Sequence, residues 1–279
     1  MTTPLAKIIL ACIAVYFLIG AIAYLAQRRL TYFPLPDRVS PQEAGLSDVV
    51  ERTLETPDGE RVLAWYGRAK PGQPTLLYFH GNGGNLDVRS ERIRRYLERG
   101  RGMFMMSYRG YSGSTGLPSE VANVADARLA YNALLAEGVK PQDIILYGES
   151  LGTGIATRLA AEVPVGGIIL ESPYTAIVDI GATRYPFLPV RLLMRDRYEQ
   201  LSRIGQIRAP LLIVHGRRDR VVPFEMGEQV FAAAPEPKEM IALPRAGHND
   251  HYLHGSYDLI GDWIDRLRAG KIGAPPVSQ

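Results

Sequence analysis

Ser150 sits in YGESLGTG, Tyr147 to Gly154, with glycines two residues before it and two after it. A serine hydroxyl is a weak nucleophile until a neighbouring imidazole takes its proton, and that imidazole needs an acid to orient it. Both partners follow in the chain. Asp219 comes after the apolar run PLLIVHG, and His248 lies in AGHND, directly after EMIALP. Nucleophile, acid and base in that order would support acyl transfer through a covalent intermediate. With 28 glycines in 279 residues, G-x-S-x-G arises by chance in roughly one such chain in eight, so the pattern needs structural context before it carries weight.

Each assignment has competitors. The chain holds five histidines. His80 precedes the nucleophile in a glycine-rich loop, His215 precedes the acid, and His251 and His254 are expected at the surface or early in a helix. Glu171, closing GGIILES, competes with Asp219 as the acid. Asp219 is preferred because its loop has the length to reach the His248 loop. Asp250 is too close to His248 in sequence to reach its ring and is expected to cap the loop. A tetrahedral intermediate also needs donors for its oxyanion. HGNGGN, His80 to Asn85, follows TLLYF and can turn backbone N–H groups inward. The expected donors are the backbone amides of Asn82 and Leu151. The loop has neither P-loop nor G-x-G-x-x-G spacing, which argues against a nucleotide. This chemistry calls for no metal and no organic cofactor.

These residues need a scaffold that gathers strand ends. From residue 75 the chain alternates short apolar runs (TLLYFHG, GMFMMSY, DIILYGES, GGIILES, PLLIVHG and EMIALP) with helix-length segments. Strands buried on both faces look like this in a parallel sheet. Val124, Ala127, Tyr131 and Leu134 share one helical face, and Ile260, Trp263, Ile264 and Leu267 another. VVERTLETPDGERVLAWYG predicts an antiparallel hairpin turning at Pro57-Asp58-Gly59. The whole is a doubly wound α/β domain whose ligands meet the carboxyl ends of the strands. Residues 173–209, including the helical-looking RLLMRDRYEQLSRI, exceed a plain crossover; a small lid and an ordinary pair of surface helices are both open readings. RGYSGSTG, Arg109 to Gly116, is expected to be structural, with Tyr108 to Tyr111 near the pocket. SERIRRYLERGR is expected to present a solvated, partly Glu-paired face, with a basic surface for anionic lipid as the alternative.

Composition is globular, 46% hydrophobic and 22% charged. The formal charge of +3 is spread among arginines interleaved with acids, which argues against nucleic acid as a partner. One cysteine, Cys12, rules out an intrachain disulfide. No charge falls between Lys7 and Arg28. An apolar run of about 20 residues, Ile8 to Gln27, matches a hydrocarbon core of about 30 Å and predicts a transmembrane helix. A cleaved signal peptide, with Ala21-Ile22-Ala23 as its small-x-small site, and a buried core helix are the alternatives. A lipobox reading of Ile9 to Cys12 is set aside because it starts the apolar run rather than ending it. Arg28, Arg29 and Arg38 after the span tilt the main domain toward the cytoplasm. LTYFPLPDRVSP reads as an extended connector. The expected organisation is an anchor over 1–30, a linker over 31–48, the main domain over 49–270 with 173–209 as the possible lid, and a tail over 271–279.

HGNGGN, SYRGYSGSTG, YGESLGTG, ESPYTA, HGRRDRVVP and GHND together resemble the single-span serine hydrolases of the α/β-hydrolase superfamily. The likeness is to the branch of α/β-hydrolase domain-containing and serine aminopeptidase-like proteins, and it covers nearly all of the chain after the span. It implies the α/β-hydrolase fold, a Ser150, Asp219, His248 triad and oxyanion donors at Asn82 and Leu151. Relatives in this branch include lipid esterases and protein depalmitoylating thioesterases. The expected activity is cleavage of a small acyl ester, thioester or lipid-like substrate at a membrane. A peptidase acting on short peptides is the alternative, and a non-catalytic membrane scaffold is a third reading. Oligomeric state is not legible.

Overall fold

The computed structural model describes residues 3–272; the tail expected over 271–279 lies, past residue 272, outside the described residues. Helix α1 (Pro4–Thr31) opens the chain, capped by Thr3, whose hydroxyl accepts from the Ala6 N–H at 3.3 Å. Its apolar window has a mean hydropathy of 2.6 and none of it is buried. By length and composition α1 is able to cross a membrane.

The main sheet has eight strands. They are β1 (Val49–Glu55), β2 (Arg61–Gly67), β3 (Thr75–Phe79), β4 (Gly102–Met106), β5 (Ile144–Glu149), β6 (Gly167–Glu171), β7 (Leu211–Gly216) and β8 (Lys238–Leu243). Their spatial order is β1-β2-β4-β3-β5-β6-β7-β8. β2 runs antiparallel to β1 and β4, and the remaining pairs are parallel. The β1–β2 hairpin turns where expected: Gly59 adopts a φ of +84°, and its N–H donates to the Thr56 carbonyl at 2.9 Å.

Helices α2 (Ser90–Glu98), α3 (Glu120–Ala136), α4 (Leu151–Ala160), α5 (Ile177–Arg184), α6 (Val190–Leu193), α7 (Leu201–Ile204), α8 (Phe224–Ala233) and α9 (Ser256–Arg268) complete the described residues, together with short 3-10 turns. The strands bury alternate residues in two cores. Leu77 and Phe79 face one core with Ala127, Tyr131 and Leu134 of α3 and Ile155 of α4. Leu76 and Tyr78 face the other with Ile93 of α2 and Ile260, Trp263 and Ile264 of α9. Both predicted helical stripes are therefore core stripes. Because β4 and β5 flank β3 on opposite sides, the chain changes direction there, and a crevice opens at the carboxyl ends of β3 and β5.

Two segments differ from expectation. The connector after α1 is extended but docked: Phe33–Pro34 pairs in parallel with Gly83–Gly84, and Tyr32 is buried with its hydroxyl 2.9 Å from that of Tyr198. RLLMRDRYEQLSRI is not one helix, since only its two ends are helical. Between them, side chains replace the helical acceptors. The Arg195 N–H donates to Gln27 of α1 at 2.7 Å, and those of Arg197 and Tyr198 donate to Glu120 of α3 at 2.8 and 3.0 Å.

Candidate active site

Ser150 stands on a strained elbow between β5 and α4, with φ +49° and ψ −115°. A non-glycine residue is costly there and persists only where its surroundings hold it. Its N–H donates to the Glu171 carbonyl at 2.8 Å, and its own carbonyl accepts from Thr153 at 2.9 Å. The flanking glycines are required sterically. A Cβ on Gly148 would lie 2.5 Å from the Gly152 carbonyl oxygen, and one on Gly152 would lie 2.0 Å from that of Phe79. The elbow thus presses α4 against the ends of β3 and β5.

His248 hangs in the loop after β8, which closes through Asp250: its carboxylate accepts from the Gly247 N–H at 2.6 Å. The His248 Nε2 lies 2.9 Å from the Ser150 Oγ, and its Nδ1 lies 2.7 Å from the Asp219 Oδ2. Asp219 is held from every side. Its Oδ1 accepts from the Val221 and Val222 N–H groups, each at 2.8 Å, and its Oδ2 accepts from the Ser172 hydroxyl at 3.0 Å. Burial alone would raise its pKa, but hydrogen bonds from His215 and His248 and the backbone outweigh it and hold the carboxyl well below the usual range. Ser150, Asp219 and His248 are brought together; Glu171 is not part of that set.

Glu171 instead serves a second cluster that sequence reasoning missed. Its carboxylate lies 2.9 Å from the His251 Nδ1 and accepts from Arg92 and Tyr147, each at 2.7 Å. The Arg92 guanidinium lies over the rings of Tyr78, Tyr147 and Tyr257 at 5.2 to 5.4 Å. Arg89 pairs with Glu149 at 3.5 Å. One expectation is met in part and one is corrected here. His251 opens a short 3-10 helix, one of its two expected placements, and is buried there because Glu171 offers it a partner. The SERIRRYLERGR segment keeps Arg94 and Arg95 solvated against Glu91, but Arg92 and Arg101 turn inward, where carboxylates and aromatic faces accept them. Burial raises the Glu149 carboxyl, but Arg89 and Arg92 overcome it and bring it to about 2; Glu171 is likewise held low, with His251 assisting Arg92. His251 is raised above its ordinary value, since Glu171 outweighs the effect of burial. The available signal was a glutamate ending each of two adjacent strands, with a histidine three residues past His248.

The remaining histidines near strand ends are structural. His80 is fully buried against Tyr108, ring centroids 3.9 Å apart, and burial pushes it down to about 3. His215 is buried with its Nε2 3.0 Å from the Val222 carbonyl. Tyr108 donates to the His80 carbonyl at 2.6 Å and Tyr111 to the Asn82 carbonyl at 2.9 Å, while Arg109 bridges Asp58 and Asp126. RGYSGSTG therefore braces the glycine loop. The Asn82 side chain ties that loop to the end of α1 by donating to the Thr31 carbonyl.

Two cavities meet at Ser150. An apolar one of about 290 Å³ includes Asn82 and Leu151 in its lining, beside α1 and the 173–209 insert. A polar one of about 360 Å³ holds Arg89, Glu149, His248 and Asn249.

The strand order, with an elbow after β5 and loops converging at the crevice, is that of the α/β-hydrolase fold. The family profile described as alpha/beta hydrolase fold matches residues 74–198. An uncharacterized protein of Mycobacterium tuberculosis is 38% identical over 230 residues, 81% of this chain and 82% of that one. The human alpha/beta hydrolase domain-containing protein 17B is 33% identical over 208 residues, 72% of this chain and 70% of that protein. An esterase of Pyrococcus furiosus superposes with a TM-score of 0.67 over 85% of this chain and 96% of its own, at 17% identity. This chain belongs to the α/β-hydrolase family, and hydrolase is the activity class that membership supports.

Proposed function

We propose that this protein is a membrane-anchored serine hydrolase that cleaves a carboxylic ester or thioester through an acyl-enzyme. The observation that carries the reading is the hydrogen-bonded chain Ser150, His248, Asp219 on the strained elbow. Ser150 Oγ attacks the acyl carbon while His248 Nε2 takes its proton, and Asp219 keeps the imidazole oriented and stabilises its charged form. The N–H groups of Asn82 and Leu151 receive the oxyanion. His248 returns the proton to the departing alcohol or thiol. A water, deprotonated by the same imidazole, then attacks the acyl carbon, and the acid leaves as Ser150 regains its proton.

The apolar cavity favours an acyl chain over a peptide. Glu149 and Glu171, the carboxylates beside Ser150 on the polar side, are already neutralised by Arg89 and Arg92, which disfavours capture of a peptide amine. A fluorophosphonate probe tests the nucleophile. Wild type should label and Ser150→Ala should not, and equal labelling of the two would overturn the assignment. Faster turnover of aminoacyl anilides than of p-nitrophenyl acyl esters would favour the peptidase instead.

Helix α1 is assigned as an uncleaved anchor, because removing it at Ala23 would strip contacts that the domain uses. Tyr16 donates to the Phe187 carbonyl at 3.0 Å, although it lies before that site. Arg28 and Arg29 at its end favour a cytoplasmic domain.

A further inference from the structure

The apolar cavity beside Ser150 draws its walls from distant parts of the chain. One wall is the insert, through Ile177, Ile180 and Met194; the other is the last turns of α1, through Ala23, Gln27 and Thr31. This is a fitted contact. Gln27 accepts from the Arg195 N–H at 2.7 Å, Arg28 pairs with Asp196 at 3.1 Å, and Tyr16 reaches Phe187. At 1.5 Å rise per residue, the stretch from Tyr16 to Gln27 runs along roughly 16 Å of helix.

That stretch also belongs to the apolar run needed to cross the hydrocarbon, which takes about 20 residues for about 30 Å. The insert therefore follows α1 down into the adjacent leaflet. Its outward side chains there suit lipid: Phe187 is 63% exposed and Leu192 82%. The polar cavity also reaches Ser150 and carries Arg89, Arg92, Glu149 and Glu171. A bilayer-borne ester presents its two ends in that arrangement, with the chain in lipid and the leaving group toward water.

We propose that the substrate's acyl chain comes laterally from the bilayer, passes between α1 and the insert beside Phe187, and lies along α1 with its carbonyl at Ser150. This rests on the reading of the chain as a membrane-anchored serine hydrolase and deepens it. The substrate is a long-chain ester or thioester resident in the membrane, and α1 helps to set its specificity.

The test uses the full chain in phosphatidylcholine vesicles with butyryl and palmitoyl p-nitrophenyl esters. Wild type should favour palmitoyl. Ala23→Trp fills the α1 wall and Ile180→Trp the facing wall. Each should lower the palmitoyl-to-butyryl ratio of kcat/KM about tenfold, the equivalent of losing about two buried methylenes. Leu25→Trp, on the exposed side of α1, should leave the ratio unchanged. Unaltered ratios in both pocket variants overturn the proposal, while Ser150-dependent butyryl turnover keeps the hydrolase reading intact. Absence of any Ser150-dependent turnover in wild type overturns the hydrolase reading instead. A readout independent of turnover is fluorescence of Phe187→Trp, the native Trp65 and Trp263 being buried. Phospholipid brominated on its acyl chains should quench it, and an unquenched signal overturns access from the bilayer.

Discussion

Asp219 accepts hydrogen bonds from several groups besides His248; Ser172, itself at a φ of +54°, supplies one from the end of β6. Ser172→Ala should lower kcat roughly tenfold with KM nearly constant, the weight of one hydrogen bond to a charged group, as steady-state kinetics would read. The neighbouring Glu171–His251 pair gives a pH signature. His251 has a raised pKa in the folded chain, so its contribution to stability is full below its unfolded value of about 6.5 and fades as pH rises through the folded value. Facing it are Glu171, Asp219 and Arg92. Glu171 and Asp219 are depressed, so their contributions hold above about pH 4 and are lost toward acid. Thermal melts between pH 6 and 9 should show a falling limb in wild type that His251→Gln lacks. An equal limb in both would show that His251 does not couple to folding.

Among the elements, the insert is held by borrowed side chains. Glu120 at the start of α3 accepts from two consecutive backbone N–H groups of the insert, and Gln27 from a third. Leaving such donors unpaired costs about 1–3 kcal/mol each. Glu120→Ala should therefore loosen residues 190–198 without melting the sheet. Limited proteolysis should cut there sooner while the global melting temperature falls by only a few degrees. Unchanged cleavage would mean that packing on α1 suffices to hold the insert.

At the scale of the molecule, α1 is an all-round apolar helix whose last turns also close the cavity at Ser150. A helix proposed as both anchor and wall should stay with the bilayer. The full chain should resist extraction by alkaline carbonate and keep its N-terminal residues when its intact mass is measured. A product beginning after Ala23 would mark α1 as a cleaved signal. A reporter fused at the C-terminus should be active in the cytoplasm, and activity only outside it would reverse the topology argued from Arg28 and Arg29.

Much of this arrangement was legible in the chain alone, because its signals are local. Continuous apolar runs mark strands buried on both faces, the period of α3 and α9 marks their inner stripes, and Gly148 and Gly152 mark a turn where any side chain would strike backbone. Ser150, Asp219 and His248 could be selected because chemistry collects at strand ends. The contacts between distant segments were not legible. Arg92 reads as a surface arginine until the tyrosines of β3 and β5 and Glu171 of β6 enclose it, and no local signal marks Glu171 as the partner of His251. RLLMRDRYEQLSRI carries a helical pattern that Gln27 and Glu120 override by accepting its backbone N–H groups. The apolar segment at the start of the chain is by composition long and apolar enough to cross a membrane, but only the tertiary structure brings Ala23, Gln27 and Thr31 against the cavity at Ser150. Local sequence encodes propensity and period, whereas the partner of a buried charge or the wall of a cavity exists only once remote segments are packed together.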